Sequence, residues 1–447
     1  MVDRPSSPSP DETPPEGWRV ASLSDLAEIR FSSVDKKSVW GELPVRLCNY
    51  TDVYFNDYVT ASMDFMRATA TRSELERFAL FAGDVVITKD SETPDDIGVP
   101  ALIDSSAEDL LCGYHLAIIR SKSSVDPTFL AKQLSQPRIR QYFGRQANGT
   151  TRYGLAAAAI DQTPIWVPPI DQQRAIGQSA RLIDAAIKTA AALVTKLKLM
   201  RVGMLHDLIT YGLDENGRAR DPNRQPDAFR VSPVGRIPQV WRVLAAEQFG
   251  DVRLGRQRSP AHENGGHMRP YLRVANVFDG FIDYSDVLRM NFEPGEQATY
   301  GLEPGDILLN EGQSLELVGR SAIYDGPAGV YCFQNTLVRF RCNTEALPEF
   351  CQPLFKYTLD RGRFMSIAKQ TTSVAHLGAD RFAKMLFPLP PMDEQIRIAD
   401  TLRSMDARLH AEARELAKLR SMKLGLMDDL LSGRVSIPIP EEAEVAV

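Results

Sequence analysis

Pro168-Pro169-Ile170-Asp171-Gln172-Gln173 opens a stretch with no further proline until Pro222, and Pro390-Pro391-Met392-Asp393-Glu394-Gln395 opens another that runs to Pro438. A Pro-Pro pair ends whatever precedes it, and an Asp just beyond can cap a helix by accepting from its first free amides, so Asp171 and Asp393 are expected N-caps. Downstream the apolar residues alternate by four and three. In the first stretch they fall at Ile176, Ala180, Ile183, Ile187, Ala190, Val194, Leu197, Met204 and Leu208, with Arg201 interrupting. In the second they fall at Ile398, Leu402, Met405, Leu409, Leu416, Leu419, Leu426 and Leu430, with Glu412 and Lys423 interrupting. Such a seam, sustained this long, predicts a coiled-coil helix of roughly 60 Å at about 1.5 Å per residue. Either helix alone would expose its seam, so the two are expected to pair, antiparallel, as a duplicated unit closing with two-fold symmetry does.

Working outward, other landmarks return at nearly the same offset of about 222 residues. Glu16-Gly17-Trp18-Arg19-Val20 is matched by Gln239-Val240-Trp241-Arg242-Val243, Ala82-Gly83-Asp84-Val85-Val86 by Pro304-Gly305-Asp306-Ile307-Leu308, and Thr150-Thr151 by Thr371-Thr372. The chain therefore reads as one unit used twice. Short β-rich runs bounded by Gly, Pro, Asn and Asp predict strands at 45–48, 84–88 and 117–120, and at 271–274, 306–309 and 337–341. A helix is expected after each set, over 127–143 and 348–364. The Gly-Asp before each middle strand reads as a structural turn. The fold class is α+β: two tandem homologous mixed α/β domains joined by two long antiparallel helices with pseudo-two-fold symmetry. The expected boundaries are a leader at 1–15, a first domain at 16–170, its helix at 171–213 and a surface linker at 214–237. A second domain at 238–392, its helix at 393–433 and a tail at 434–447 complete the chain.

At 447 residues, with 43% hydrophobic and 25% charged, the composition is that of globular domains. No run reaches the roughly 18 apolar residues of a membrane span. Five cysteines without a C-x-x-C pair fit reduced thiols in a cytoplasm. No phosphate-binding loop, dinucleotide fingerprint, nucleophile elbow or H-E-x-x-H is present, and the Asn-Pro-Pro-aromatic signature of an amino-methyltransferase is missing. His262 and His267 flank two glycines, which favours a loop over a metal site. Asp84, Asp95, Asp96 and Lys89 only faintly suggest a metal nuclease, and the second copy lacks the lysine.

The net charge of −6 does not favour nucleic acid, but the charge is uneven. Residues 127–160 carry Lys132, Arg138, Arg140, Arg145 and Arg152 with no carboxylate before Asp161. The matching stretch holds Lys356, Arg361, Arg363 and Lys369 against Asp360 alone. A basic helix followed by a Thr-Thr loop suits phosphate contact, and Thr150, Thr151, Thr371 and Thr372 are placed with it. Lys89 and Ser91, and Asn310 and Gln313, occupy matching polar segments of different composition and are candidate base readers.

The ordered set resembles the DNA-specificity subunit of type I restriction–modification systems: the Trp opening, the Gly-Asp strand, the Thr-Thr loop, the Pro-Pro junction and the long helix, all twice. The resemblance runs from about Pro15 to Ile437. It implies a non-catalytic adaptor whose two target-recognition domains each read half of a bipartite, asymmetric double-stranded DNA site. It also implies two modification subunits docked on the helices, with S-adenosylmethionine on them, and restriction subunits carrying ATP and Mg²⁺. A coiled-coil scaffold without DNA contact, or a stand-alone nuclease or methyltransferase, are the readings of other classes.

Overall fold

The computed structural model describes residues 13–370 and 374–438, in two compact units. One comprises the chain up to Ala192 together with the part from Arg414 on, the other Leu193–Ala413. Two helices, α1 (Ile170–Thr210) and α2 (Met392–Leu431), contribute residues to both. Most of the leader and part of the tail lie outside the described residues, as do Thr371 and Thr372.

In the first unit the strand Asp84–Thr88 lies inside a five-stranded sheet, between Leu116–Ser121 and Pro100–Ile103, and is buried on both faces. Its alternation explains the unbroken apolar run. Val85 and Ile87 enter a core with Leu130, Ile139 and Phe143; Val86 enters another with Leu47, Leu111 and Ile118. In the second unit the strand Ile307–Asn310 lies between Leu337–Cys342 and Ser321–Ile323. Ile307 and Leu309 face Phe340, Phe350 and Phe355, while Leu308 faces Tyr324 and Phe333.

The Gly-Asp turns have a common chemistry. Gly83 and Gly305 sit at φ 94° and 95°, where a side chain would strain the backbone. Asp84 accepts from the Phe81 amide at 2.9 Å and from the Arg120 fork at 2.7 Å. Asp306 accepts from the Glu303 amide at 2.8 Å and from Arg341 at 2.6 and 2.7 Å. The opening and exit motifs recur together because they pair. Arg19–Ser22 runs antiparallel to Pro164–Val167, and Arg242–Ala245 to Leu386–Leu389.

Three expectations need correction. Asp171 and Asp393 lie inside the first turns, paired with Arg174 and Arg397, rather than capping. The residue that ties the junction is the last glutamine of each motif. Gln173 donates to the Pro168 carbonyl at 2.9 Å and accepts from the Asp126 amide at 3.1 Å. Gln395 donates to Pro390 at 3.0 Å and accepts from Leu347 at 2.9 Å. The helices expected over 127–143 and 348–364 are each broken in two. Pro137 starts a new helix after extended Gln136, and Gly362 at φ 66° separates Pro348–Asp360 from Arg363–Ile367. The end of the expected linker, from Phe229 on, forms a hairpin with the first residue of the second domain, Phe229–Ser232 with Gly235–Pro238, that buries Phe229 and Ile237.

The long helices meet within each unit. In the first, Ile176 and Ala180 pack with Met427, Leu430, Leu431 and Phe129, while Asp184 pairs with Lys423 at 2.7 Å. In the second, Leu205, Leu208 and Ile209 share a core with Ile398 and Leu402, and Arg201 Nη2 donates to Asp406 at 3.1 Å. In both, rising numbers on α1 meet falling numbers on α2, so the paired segments run in opposite directions. The seam-breaking cations each find a carboxylate on the other helix, and one offset of 222 converts Asp184 to Asp406 and Arg201 to Lys423. Val194, Leu197 and Leu416 are buried, while Ile183, Ile187, Leu409 and Leu419 are half-buried. The four-three phase slips after Lys423. Leu426 is exposed and Met427 buried, because the last turns of α2 rotate onto Phe129 of the globular part. No helix among the described residues is long and apolar enough to cross a membrane.

Candidate nucleic-acid interface

The helix Pro137–Gln146 buries Ile139 and Phe143, four apart, and so turns Arg140 and Arg145 to solvent. Arg138 faces inward instead: it donates to the Pro164 carbonyl at 3.0 Å and lies 4.4 Å over the Trp166 ring. Lys132 is buried between Asp57 at 3.0 Å and Asp184 at 2.9 Å. Both were candidates for DNA and are structural.

Beyond the helix the chain folds back. Tyr153–Gly154 pairs with Asp90–Ser91, which lifts Thr150, Thr151 and Arg152 to an exposed turn. Asp90 anchors it, accepting from His115 Nδ1 at 2.7 Å and from Arg152 Nη2 at 3.1 Å. Of the two polar candidates alongside, Ser91 is buried and Lys89 bonds the Ser32 carbonyl at 3.2 Å. Burial lowers the Lys89 ammonium from its usual range. Ser91 is thus closed to a base, while Lys89 is half-exposed and held toward the Ser32 carbonyl.

In the second unit, Gly312–Gln313 pairs with Ala375–His376, and Lys369–Gln370 forms the next strand. Lys369 is exposed, and Glu311 accepts from His376 Nδ1 at 2.9 Å. The Gln313 side chain accepts from the Ser314 amide at 3.0 Å. Asn310 is wholly buried, which removes it as a reader. Lys356 pairs with Asp279 at 3.3 Å and with Asp360. Arg361 donates to His206 Nδ1 at 2.8 Å and lies 5.3 Å over Tyr357. Arg363 bonds the Leu386 carbonyl at 3.3 Å, and burial lowers its guanidinium. The basic charge that recurs in sequence is thus largely consumed internally here. The surface that remains is Arg140, Arg145, Thr150, Thr151 and Arg152 in one unit and Lys369 with the Glu311–His376 pair in the other.

Asp90 and Glu311 lie in the polar segments the sequence offered, but their partners His115 and His376 were missed, because the pairing depends on segments meeting across the fold. It also missed Trp40, which is fully exposed in the loop that carries Lys36 and Lys37. An aromatic set among Ser, Lys and Gly was the only available signal.

Two domains of like build, each with a polar strand pair beside its central sheet, can be compared with known proteins. Residues 242–420 match the family model described as the type I restriction modification DNA specificity domain. The chain is similar to type I restriction enzyme specificity subunits over nearly its whole length. It is 21% identical over 440 residues to the putative MjaX specificity subunit of Methanocaldococcus jannaschii, covering 95% of each chain. It is 22% identical over 395 residues to the EcoKI specificity subunit of Escherichia coli, covering 86% of this chain and 81% of that one. The fold is shared with the crystal structure of the type I restriction-modification S subunit from M. genitalium. The TM-score is 0.52 at 14% identity, over 92% of this chain and 96% of that one. A chain from a structure of type I R-M system assembly and conformational transition has the same TM-score of 0.52 at 17% identity, over 95% and 100%.

Proposed function

We propose that this chain is the sequence-specific DNA-binding specificity subunit of a type I restriction–modification complex. Each recognition domain reads one half of a bipartite, asymmetric site. The observation that carries this reading is the duplicated domain with a different polar set in and beside the equivalent strand pair: Asp90, His115 and Arg152 in one copy, Glu311 and His376 in the other. Equal scaffolds with unequal reading residues suit unequal half-sites.

The subunit is non-catalytic and acts in the cytoplasm. Its long helices form an antiparallel coiled coil of pseudo-two-fold symmetry that sets the spacing between half-sites and docks two modification subunits. Those partners hold S-adenosylmethionine and methylate adenine; restriction subunits, with ATP and Mg²⁺, join them. Phosphate contacts from Arg140 and Arg145 position the first domain, and side chains at the strand-pair turn read bases in the major groove.

Methylated adenines are mapped in the host genome with the gene intact and deleted. One bipartite motif is expected to lose methylation on deletion and regain it on complementation. An unchanged methylation map, with no binding of duplex DNA by the chain, overturns the reading.

A further inference from the structure

Among the exposed cations of the first unit, Arg152 differs in what holds it. Its side chain is 60% exposed, yet Nη2 is tied to Asp90, whose own side chain is only 18% exposed. Asp90 is oriented in turn by His115, 12% exposed, whose ring lies 3.6 Å from that of Tyr114. A carboxylate only accepts, so His115 Nδ1 donates to it, and Arg152 Nη2 lies 3.2 Å from that same nitrogen, so the three side chains meet at one point. The backbone beneath is fixed as well: Gly154 is opposite Asp90, and Asn148 and Gly154 exchange bonds at 3.0 and 2.9 Å. Nη1 and Nε have no hydrogen-bond partner among the described residues, and the second hydrogen of Nη2 lies beside one of them, so one edge of the guanidinium keeps two donors.

We infer that Arg152 is a specificity-determining residue that reads a guanine in the major groove, with Asp90 and His115 as positioning residues. This rests on the DNA-specificity reading above. A phosphate contact is a poor fit. The Asp90 carboxylate would face the phosphate as a like charge, and the Asp90–Arg152 pair carries no net charge with which to displace counterions. Base reading gains from the same carboxylate, because it removes the rotamer freedom that a long side chain must otherwise lose on binding. The free edge of the guanidinium offers donors only. Guanine presents two acceptors, N7 and O6, whereas adenine presents one acceptor and a donor, and cytosine a donor. Arg140 and Arg145, on the adjoining helix, have the exposed setting a phosphate contact needs.

The test selects duplexes from a randomised pool with the full chain and sequences them, alongside the salt dependence of binding to a selected duplex. Wild type is expected to enrich a bipartite motif with guanine in one half. Arg152→Ala should cut the guanine preference at that position by about 10- to 100-fold, leave the other half unchanged and keep the salt slope. Arg152→Gln retains much of the bulk but presents one donor and one acceptor, the pattern that suits adenine, so it decides the matter should the alanine variant fail to fold; it too should lose the guanine preference. Asp90→Asn should flatten it in part. Guanine preference intact in Arg152→Gln, or a salt slope reduced by about 0.9 in Arg152→Ala with the motif unchanged, overturns the inference. A wild-type chain that enriches no motif overturns the DNA-specificity reading itself.

Discussion

Replacing Lys423 with Met probes the charge cluster that joins the globular part to the paired helices in the first unit. Lys423 lies 2.7 Å from Asp57 and 2.7 Å from Asp184, and Lys132 contacts the same two carboxylates. Two cations and two anions thus balance. Met keeps the aliphatic stem and leaves one negative charge in excess. Asp184 is 12% exposed and Asp57 55%, so the setting falls between a buried pair, whose breaking costs about 3–5 kcal/mol, and a surface pair worth about 0–1 kcal/mol. A loss of about 2 kcal/mol is expected. Asp184→Asn should cost about as much, and the double variant about 2–3 kcal/mol rather than 4, since the two share one interaction.

The pH dependence gives a second reading of the same cluster. Burial raises the Asp57 carboxyl, but Lys132 and Lys423 outweigh it and hold it at about 2, below the ordinary 3.8. A carboxyl depressed on folding adds stability above its unfolded pKa, and that contribution disappears as pH falls through the folded value. The full shift corresponds to about 2.5 kcal/mol, which solvent screening at this half-exposed group reduces to about 1 kcal/mol. The deficit of Lys423→Met should therefore shrink by up to about 1 kcal/mol between pH 4 and pH 2. Urea unfolding followed by tryptophan fluorescence suits the measurement, because Trp18, Trp40 and Trp166 lie in this unit and Trp241 alone in the other. A variant within 0.5 kcal/mol of wild type by about the usual error, or additive single changes, would refute the argument.

Arg140→Ala should weaken binding to all duplexes and lower the salt slope by about one, read by titration between 50 and 200 mM salt; an altered motif would contradict its phosphate role. Arg138→Ala should instead destabilise the first unit by about 1–3 kcal/mol, through the lost Pro164 bond and Trp166 contact, with little change in salt slope, as seen by urea midpoint and the same titration. Exchanging Gly41–Pro164 for the matching segment of a relative should change one half-site alone, and a change in both would contradict independent domains. Four residues inserted in each long helix add about 6 Å, so the preferred gap between half-sites should grow by about two base pairs.

Much of the fold was legible because it rests on local chemistry. The apolar alternation at 84–88, the Gly-Asp turns and the four-three seams are periodicities and backbone demands that act on the residues carrying them. Their recurrence at one offset made the duplication visible, and with it the resemblance that the comparisons support. Which basic residues are available was not legible. Arg138 and Arg140 are two apart on one helix, yet one lies over the Trp166 ring and the other faces solvent. Lys356 and Lys369 read alike until Asp279 and Asp360 are seen beside the first.

What the sequence determined by itself is the repeated unit, the central strand of each copy and the two long helices with their seams. Only the tertiary structure decided which charges are spent: Asp57 with Lys132 and Lys423, Asp90 with His115 and Arg152. The physical reason is range. Helix and strand periodicity is set by neighbours a few residues away, whereas an ion pair depends on distance in space between residues that the chain separates by tens to hundreds of positions.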